Sequence, residues 1–256
     1  MLYWVLKLLV FEPVARLVTR PWIEGEEHIP ATGPALLVCN HLHASETILL
    51  PSLLRRRLTF PAKIELFRGN NLFARFIGRF LEAIKMVPMD RSGGQASASS
   101  IDAIRDRLTA DGDVVIIFPE GSRSPDGRLY KGRTGTARIV LAAAGVPVIP
   151  VAVINTVPRR NVLGIPVIRR PGVRIGRALD FSAYAAAGND RDTLRWVTDE
   201  LMNAVMELSG QVYVDVYASS VKQALRNGTE LAQPTPARPG LGRPTPKRPA
   251  PTDSAA

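Results

Sequence analysis

Short apolar runs alternate with stretches of helical period along most of this chain. Ala35–Cys39 is an apolar run behind Thr32-Gly33-Pro34 and reads as a buried strand, while Glu46 to Leu50, with Leu53 and Leu54, continues at helical spacing. Between Asn71 and Leu81, Leu72, Phe73, Phe76, Ile77 and Phe80 recur at helical intervals, and Ala83–Met89 predicts another strand. Ile101, Ile104 and Leu108 mark one face of a helix from Ser100 that should stop at Asp111-Gly112. Val114–Phe118, apolar throughout, predicts a central strand. Thr134–Ala144 follows as a small-residue helix closed by Gly145, then Val146–Val153 and Val173–Leu179 as strands. Asp190–Leu208 aligns Leu194, Val197, Leu201, Val205 and Leu208 in one long amphipathic helix. Strand, helix and strand in this order imply parallel pairing, so the fold class expected is α/β: a single domain with a mixed, mostly parallel sheet flanked by helices.

The two ends differ from this body. Met1 to Arg20 is rich in Leu, Val, Trp and Tyr, but Lys7, Glu12, Pro13 and Arg16 interrupt it before it reaches the roughly 18–20 clean apolar residues of a membrane span. Residues 1–21 are therefore expected as an amphipathic helix lying on a membrane. No basic start and no A-x-A site marks them as a signal peptide. Residues 22–227 form the expected domain. Residues 228–256 hold seven prolines with little apolar bulk, which predicts a disordered tail.

Charge narrows the partners. The chain carries a formal +10, and 27 of its 33 basic residues are Arg. Such a balance favours an anionic surface, and a phospholipid membrane suits it better than nucleic acid. The arginines are scattered or paired, and no aromatic-rich basic strand or zinc module accompanies them. A single cysteine, Cys39, forms no internal disulfide and points to a reducing compartment, hence to the cytoplasmic face of the cell membrane.

Candidate chemistry sits where the first buried strand should end. His41 and Glu46 are five residues apart, and in a regular helix such positions point about 140° away from each other. They can meet only at a loop-to-helix corner. There the carboxylate would accept one imidazole N–H and leave the other nitrogen free to take a proton from an alcohol. A lone histidine can equally satisfy backbone groups at a helix start. His41, His43 and Glu46 have the look of metal ligands, but a site needs three or four and of the histidines and thiols only His28 and Cys39 remain, so no metal is expected.

Four stretches in order, Asn40-His41 to Glu46, Met89-Asp90-Arg91, Phe118-Pro119-Glu120-Gly121-Ser122-Arg123-Ser124 and Val146-Pro147-Val148-Ile149-Pro150, resemble the four motifs of the glycerolipid acyltransferases, the family that includes the 1-acylglycerol-3-phosphate acyltransferases. The resemblance spans roughly residues 20–180. It implies transfer of a fatty acyl group from acyl-CoA or acyl carrier protein to the free hydroxyl of a lysophospholipid, lysophosphatidate above all, giving phosphatidate for phospholipid biosynthesis. No cofactor is implied beyond that acyl donor. On this reading His41 is the general base, Glu46 its orienter, and Lys63, Arg91 and Arg123 hold the acceptor phosphate, with Gly121 and Ser122 beside it. Glu120 would repel a phosphate directly, so it is expected to orient Arg123 or contact a glycerol hydroxyl. Val146, Pro147, Ile149 and Pro150 are expected to shape the acyl-donor pocket or to be core strand. Two departures stand out: Glu46 replaces the family's Asp, and His43, in place of a small residue, could compete for that carboxylate. Another acceptor, or a catalytically weak lipid-binding relative, is the alternative.

Overall fold

The computed structural model describes residues 4, 7–64, 75, 86–89, 94–162, 164, 166–229 and 236–249. A π-helical turn, Lys7–Phe11, leads into α1 (Glu12–Thr19), then β1 (Trp22–Glu24) and β2 (Ala35–Cys39). Next come α2 (Glu46–Leu53), β3 (Leu58–Thr59), β4 (Pro61–Lys63), β5 (Val87–Met89) and α3 (Gly94–Thr109). β6 (Val114–Ile117), β7 (Leu129–Tyr130), α4 (Gly135–Ala142) and β8 (Val148–Ile154) follow. A small hairpin of β9 (Arg159–Arg160) and β10 (Pro166–Val167) precedes β11 (Gly172–Ile175). The chain closes with α5 (Arg191–Ser209), β12 (Tyr213–Val214), α6 (Ala218–Asn227) and β13 (Pro236–Ala237).

Six strands form the main sheet in the order β1-β11-β8-β2-β6-β3. Every neighbouring pair is parallel except β11 with β8. A hairpin rather than a helix separates those two, so no crossover forces them parallel. The sheet is thus mixed and mostly parallel, as the sequence predicts. Its central strand β2 is buried at every residue, and the period of two sorts its side chains. Leu36 and Val38 meet Leu108, Ile139, Leu201 and Val205 from α3, α4 and α5, whereas Ala35, Leu37 and Cys39 meet Leu49, Leu50 and Leu53 from α2. Helices on both faces explain why these strands are apolar throughout.

Helix α5 begins where Asp190 caps the Thr193 amide (2.8 Å) and ends at Gly210, whose φ of 68° suits the left-handed turn. The strand expected over 173–179 stops at Ile175, and the helix expected at 71–81 lies outside the described residues apart from Arg75. Disorder was expected after residue 227, but 236–249 is held. β13 pairs with β12, and Arg243 reaches the buried Asp199 at 2.5 Å. Proline content argued for disorder, yet it could not register a buried carboxylate waiting on α5 for a second cation.

At the N-terminus, Lys7 is buried and donates to the Leu54 carbonyl at the end of α2. Burial pulls its ammonium below the ordinary lysine value. Leu8, Leu9, Leu17 and Val18 remain exposed, with Ile48 of α2 also exposed. Among the described residues no helix is long and apolar enough to cross a membrane.

Candidate active site

The site lies at the carboxyl ends of β2, β6 and β8, where open α/β sheets present their loops. Strand β2 ends at Cys39, and the next side chain completes the ladder. Asn40 Oδ1 accepts from the Val153 amide (2.7 Å), while Asn40 Nδ2 donates to the Val153 carbonyl (3.0 Å) and to Gln211 Oε1 (2.7 Å). Asn40 has no exposed surface, and these bonds satisfy both it and the last buried turn of β8. The main chain is released from the sheet one residue before His41. Burial and the nearby Glu46 charge push the Cys39 thiol well up, so it is a packing group rather than a nucleophile.

His41 Nδ1 lies 2.6 Å from Glu46 Oε2. The Glu46 carboxylate is fully buried and has three further donors, all on Oε1: the amides of Leu42 (2.9 Å) and His43 (2.7 Å) and the Thr156 hydroxyl (2.7 Å). With three donors on Oε1, the buried side chain presents Oε2 alone to the imidazole and fixes the orientation of the His41 ring. The corner expected from the five-residue spacing is therefore formed, with Glu46 opening α2. Asn155, at φ 56°, turns the chain after β8 and brings Thr156 over Glu46. His43 does not compete. Its Nδ1 accepts the Ser45 amide at 3.2 Å, and only its backbone touches Glu46.

The second wall is the loop after β6. Phe118 stacks on the His41 ring with centroids 4.1 Å apart and planes 18° from parallel. Glu120 is buried and accepts from the backbone amides of His41 and Tyr130, each at 3.0 Å. Burial pushes its carboxyl up to about 8, against the pull of those two amides. The Ser124 amide donates to the His41 carbonyl at 2.7 Å, so the loop is tied to the base at both ends. Gly121 has φ 68°, and a Cβ there would lie 3.0 Å from Arg133 Cδ and Nε. Ser122 Oγ accepts from Lys222 Nζ of α6 at 2.7 Å, while Arg123 is exposed at the rim.

The remaining expected residues are placed unevenly. Lys63 ends β4, with its side chain outside the described residues, as are Asp90 and Arg91 entirely. Glu120 neither orients Arg123 nor stands open to a hydroxyl, because both its oxygens are taken by main-chain amides. The four residues expected to shape an acyl-donor pocket or to be core strand divide between a cavity and the core. β8 pairs Val148 with Leu36 and Val151 with Cys39, so Val146 and Pro147 lie at the far end of the strand, roughly 10 Å or more behind the dyad. They line a cavity of about 230 Å³ with Val140, Leu179 and Phe181. Ile149 and Pro150 are core. Sequence reasoning assigned no role to Asn40, although it opens the first motif, and missed Thr156, Arg133 and Lys222. Thr156 had one available signal, its position just beyond a strand end, as for His41 and Glu120.

A histidine–carboxylate pair at one parallel strand end, walled by a loop from the next, is an arrangement able to take a proton from a hydroxyl. Residues 20–154 match the family model described as Acyltransferase, and the chain belongs to that family. It is 31% identical over 131 residues to a 1-acyl-sn-glycerol-3-phosphate acyltransferase of Pseudomonas aeruginosa, covering 51% of this chain and 48% of that one. A chloroplastic 1-acyl-sn-glycerol-3-phosphate acyltransferase of Arabidopsis thaliana is 32% identical over 135 residues, covering 52% of this chain and 36% of the relative. The chain thus spans about half or less of the length of these curated relatives. The fold is similar to the crystal structure of a 1-acyl-sn-glycerophosphate acyltransferase from Thermotoga maritima (TM-score 0.51, 24% identity, 73% of this chain and 72% of that one).

Proposed function

We propose that the chain transfers a fatty acyl group from acyl-CoA or acyl carrier protein to the free hydroxyl of 1-acylglycerol 3-phosphate, forming phosphatidate. The observation that carries this reading is the 2.6 Å contact between His41 Nδ1 and Glu46 Oε2. It leaves Nε2 as the nitrogen that can accept a proton. The hydroxyl gives its proton to Nε2 as its oxygen attacks the thioester carbon. The tetrahedral species then collapses, the C–S bond breaks, and the imidazolium returns the proton to the departing thiolate. Ester and thiol balance donor and acceptor, so no cofactor and no acyl-enzyme is needed. Base catalysis of this kind supplies about 10²- to 10⁴-fold, and orientation of the acceptor supplies more.

Arg123 beside this corner favours a phosphate-bearing acceptor, because a guanidinium fork matches phosphate oxygens. Glycerol 3-phosphate or another lysophospholipid would satisfy the same chemistry. The exposed Leu8, Leu9, Leu17, Val18 and Ile48, with the basic body, support monotopic binding to an anionic phospholipid surface on the cytoplasmic side. The test is coenzyme A release from oleoyl-CoA with 1-acylglycerol 3-phosphate as acceptor. Acceptor-dependent release that disappears in His41→Ala is expected. Silence of the wild type across a panel of lysolipids and donors would favour a non-catalytic lipid-binding role.

A further inference from the structure

Helix α6 lies beyond the stretch that matches the family model, yet one of its faces is turned to the loop that holds His41. Ser219, Lys222 and Arg226 recur at i, i+3 and i+7, which aligns them along one stripe. Each of the first two is engaged with the site. Ser219 Oγ accepts from Arg133 Nη2 at 3.0 Å, and Lys222 Nζ donates to Ser122 Oγ at 2.7 Å. Arg133 is itself the side chain under Gly121 and lies over the Tyr217 ring at 5.2 Å. Lys131 holds the start of this helix through Asp215 at 3.1 Å and through the Val216 carbonyl, which its amide reaches at 3.0 Å.

This packing gathers Arg123, Lys222 and Arg226 at one place. Burial and the like charges of Arg123 and Arg226 pull the Lys222 ammonium below its ordinary value, with only Glu120 opposing them. Among the described residues none of the three cations makes an ion pair. Like charges held together beside a nucleophile's base cost stability unless an anion joins them.

We infer that Lys222 is a ligand for the phosphate monoester of the acyl acceptor, delivered to the Ser122–Arg123 loop by the C-terminal helix α6. The assignment rests on the acyltransferase reading above. Coenzyme A also bears a phosphate monoester, but Lys222 bonds to the loop that clamps His41 from both sides, where the attacking hydroxyl must lie. The phosphate belongs to the molecule that presents that hydroxyl. Lys222 thus selects a phosphorylated acceptor over a neutral monoacylglycerol.

The experiment compares wild type with Lys222→Met, Lys222→Arg and Ser122→Ala, measuring KM and kcat separately for 1-acylglycerol 3-phosphate, monoacylglycerol and oleoyl-CoA. Lys222→Met should raise KM for the phosphorylated acceptor at least ~10-fold, the loss of one charge-assisted hydrogen bond. kcat and the KM for oleoyl-CoA should stay near the wild-type values, and Lys222→Arg should recover most of the affinity. If Lys222→Met raises the KM for monoacylglycerol as much as that for the phosphorylated acceptor, as displacement of the loop in Ser122→Ala would, Lys222 is only a tether and the inference is overturned. A rise confined to the KM for oleoyl-CoA overturns it in favour of the donor. Should the wild type acylate no phosphorylated acceptor, the acyltransferase reading fails, and thermal stabilisation by glycerol 3-phosphate decides the anion site. Stabilisation present in wild type and lost in Lys222→Met sustains it, while equal stabilisation of both, or of neither, removes it.

Discussion

Thr156 Oγ1 donates to Glu46 Oε1 at 2.7 Å, adding a hydroxyl from the end of β8 to the two main-chain amides already on that oxygen. The other oxygen is left for His41 alone. This division of labour shows how a glutamate reaches the histidine at a position where the motif it resembles has an aspartate. The pocket for its Oε1 is built by residues 42, 43 and 156, and the extra methylene carries Oε2 on to the imidazole. Shortening the side chain draws the carboxylate back by ~1.5 Å, so it cannot keep both sets of partners. Glu46→Asp is therefore expected to lower kcat by ~10-fold or more with KM for the acceptor little changed. Thr156→Val should cost about 1–3 kcal/mol of stability for the lost buried bond, with a smaller fall in kcat. Steady-state kinetics and denaturant titration check both, and faster turnover in Glu46→Asp would mean that the corner is not fitted to glutamate.

The Glu120 carboxyl ties folding to pH. In the folded protein burial holds it up to about 8, whereas in the unfolded chain it ionises near ~4.3. Between those values the folded state keeps a proton that the unfolded chain has released. Its contribution to stability is therefore full below about pH 4 and is lost as pH rises through about 8. Measured by urea unfolding from pH 5 to 9, wild type should lose stability relative to Glu120→Gln by up to ~1.4 kcal/mol per pH unit. Parallel curves for the two proteins would contradict a protonated Glu120.

Much of this architecture was legible because its determinants are local. The apolar run at 35–39 and the helical stripe from Leu194 to Leu208 each identify an element without knowledge of its neighbours. The dyad was legible for a related reason: His41 and Glu46 are close in sequence, so one corner brings them together. Lys222 and Thr156 were not, since their partners Ser122 and Glu46 lie 100 and 110 residues away and no periodicity encodes such a meeting. Glu120 is expected from the motif to orient Arg123, three residues on, or to contact a glycerol hydroxyl. Its position beneath two strand-end amides, His41 and Tyr130, is a property of the sheet and not of the motif. For Pro147 the motif left pocket and core strand both open, and only the parallel register places it at the end of β8 away from the dyad.

The exposed apolar residues before β1 make a claim about membranes that binding can check. Leu9 is 73% exposed and Leu17 84%, values at odds with a core-facing helix of a free-standing domain. Burial of a leucine side chain is worth about 1.5–3 kcal/mol, so two together set a large share of the affinity for a lipid surface. Leu9→Glu with Leu17→Glu should reduce co-sedimentation with phosphatidylglycerol-containing vesicles by more than ~10-fold, while the thermal midpoint in detergent changes little. An unchanged vesicle-bound fraction would exclude this face as the docking surface.

The same logic of buried charge bears on the C-terminal strap. Asp199 of α5 is buried and is held from one side by Arg195 at 2.6 Å and from the other by Arg243 at 2.5 Å. Arg243 also reaches Asp215 at 3.3 Å, beside the Lys131 contact that steadies the start of α6. Truncation after Thr229 removes Arg243 and β13 together, leaving a buried carboxylate with one cation and an open edge on β12. Losing one charged hydrogen-bond partner of a buried carboxylate costs about 1.5–3 kcal/mol, or roughly 2–4 °C in Tm per kcal/mol for a domain of this size. Arg243→Ala should reproduce most of that loss by itself, because the two-residue β13 ladder contributes little. Turnover per folded molecule should remain at the wild-type value in both variants, since neither Asp199 nor Arg243 touches His41, Glu46 or Lys222. Calorimetry run alongside the coenzyme A assay separates the two quantities. A truncated protein that melts like wild type would show that the strap rests on the body without stabilising it, and one that melts normally but turns over slowly would assign residues 236–249 a part in the site.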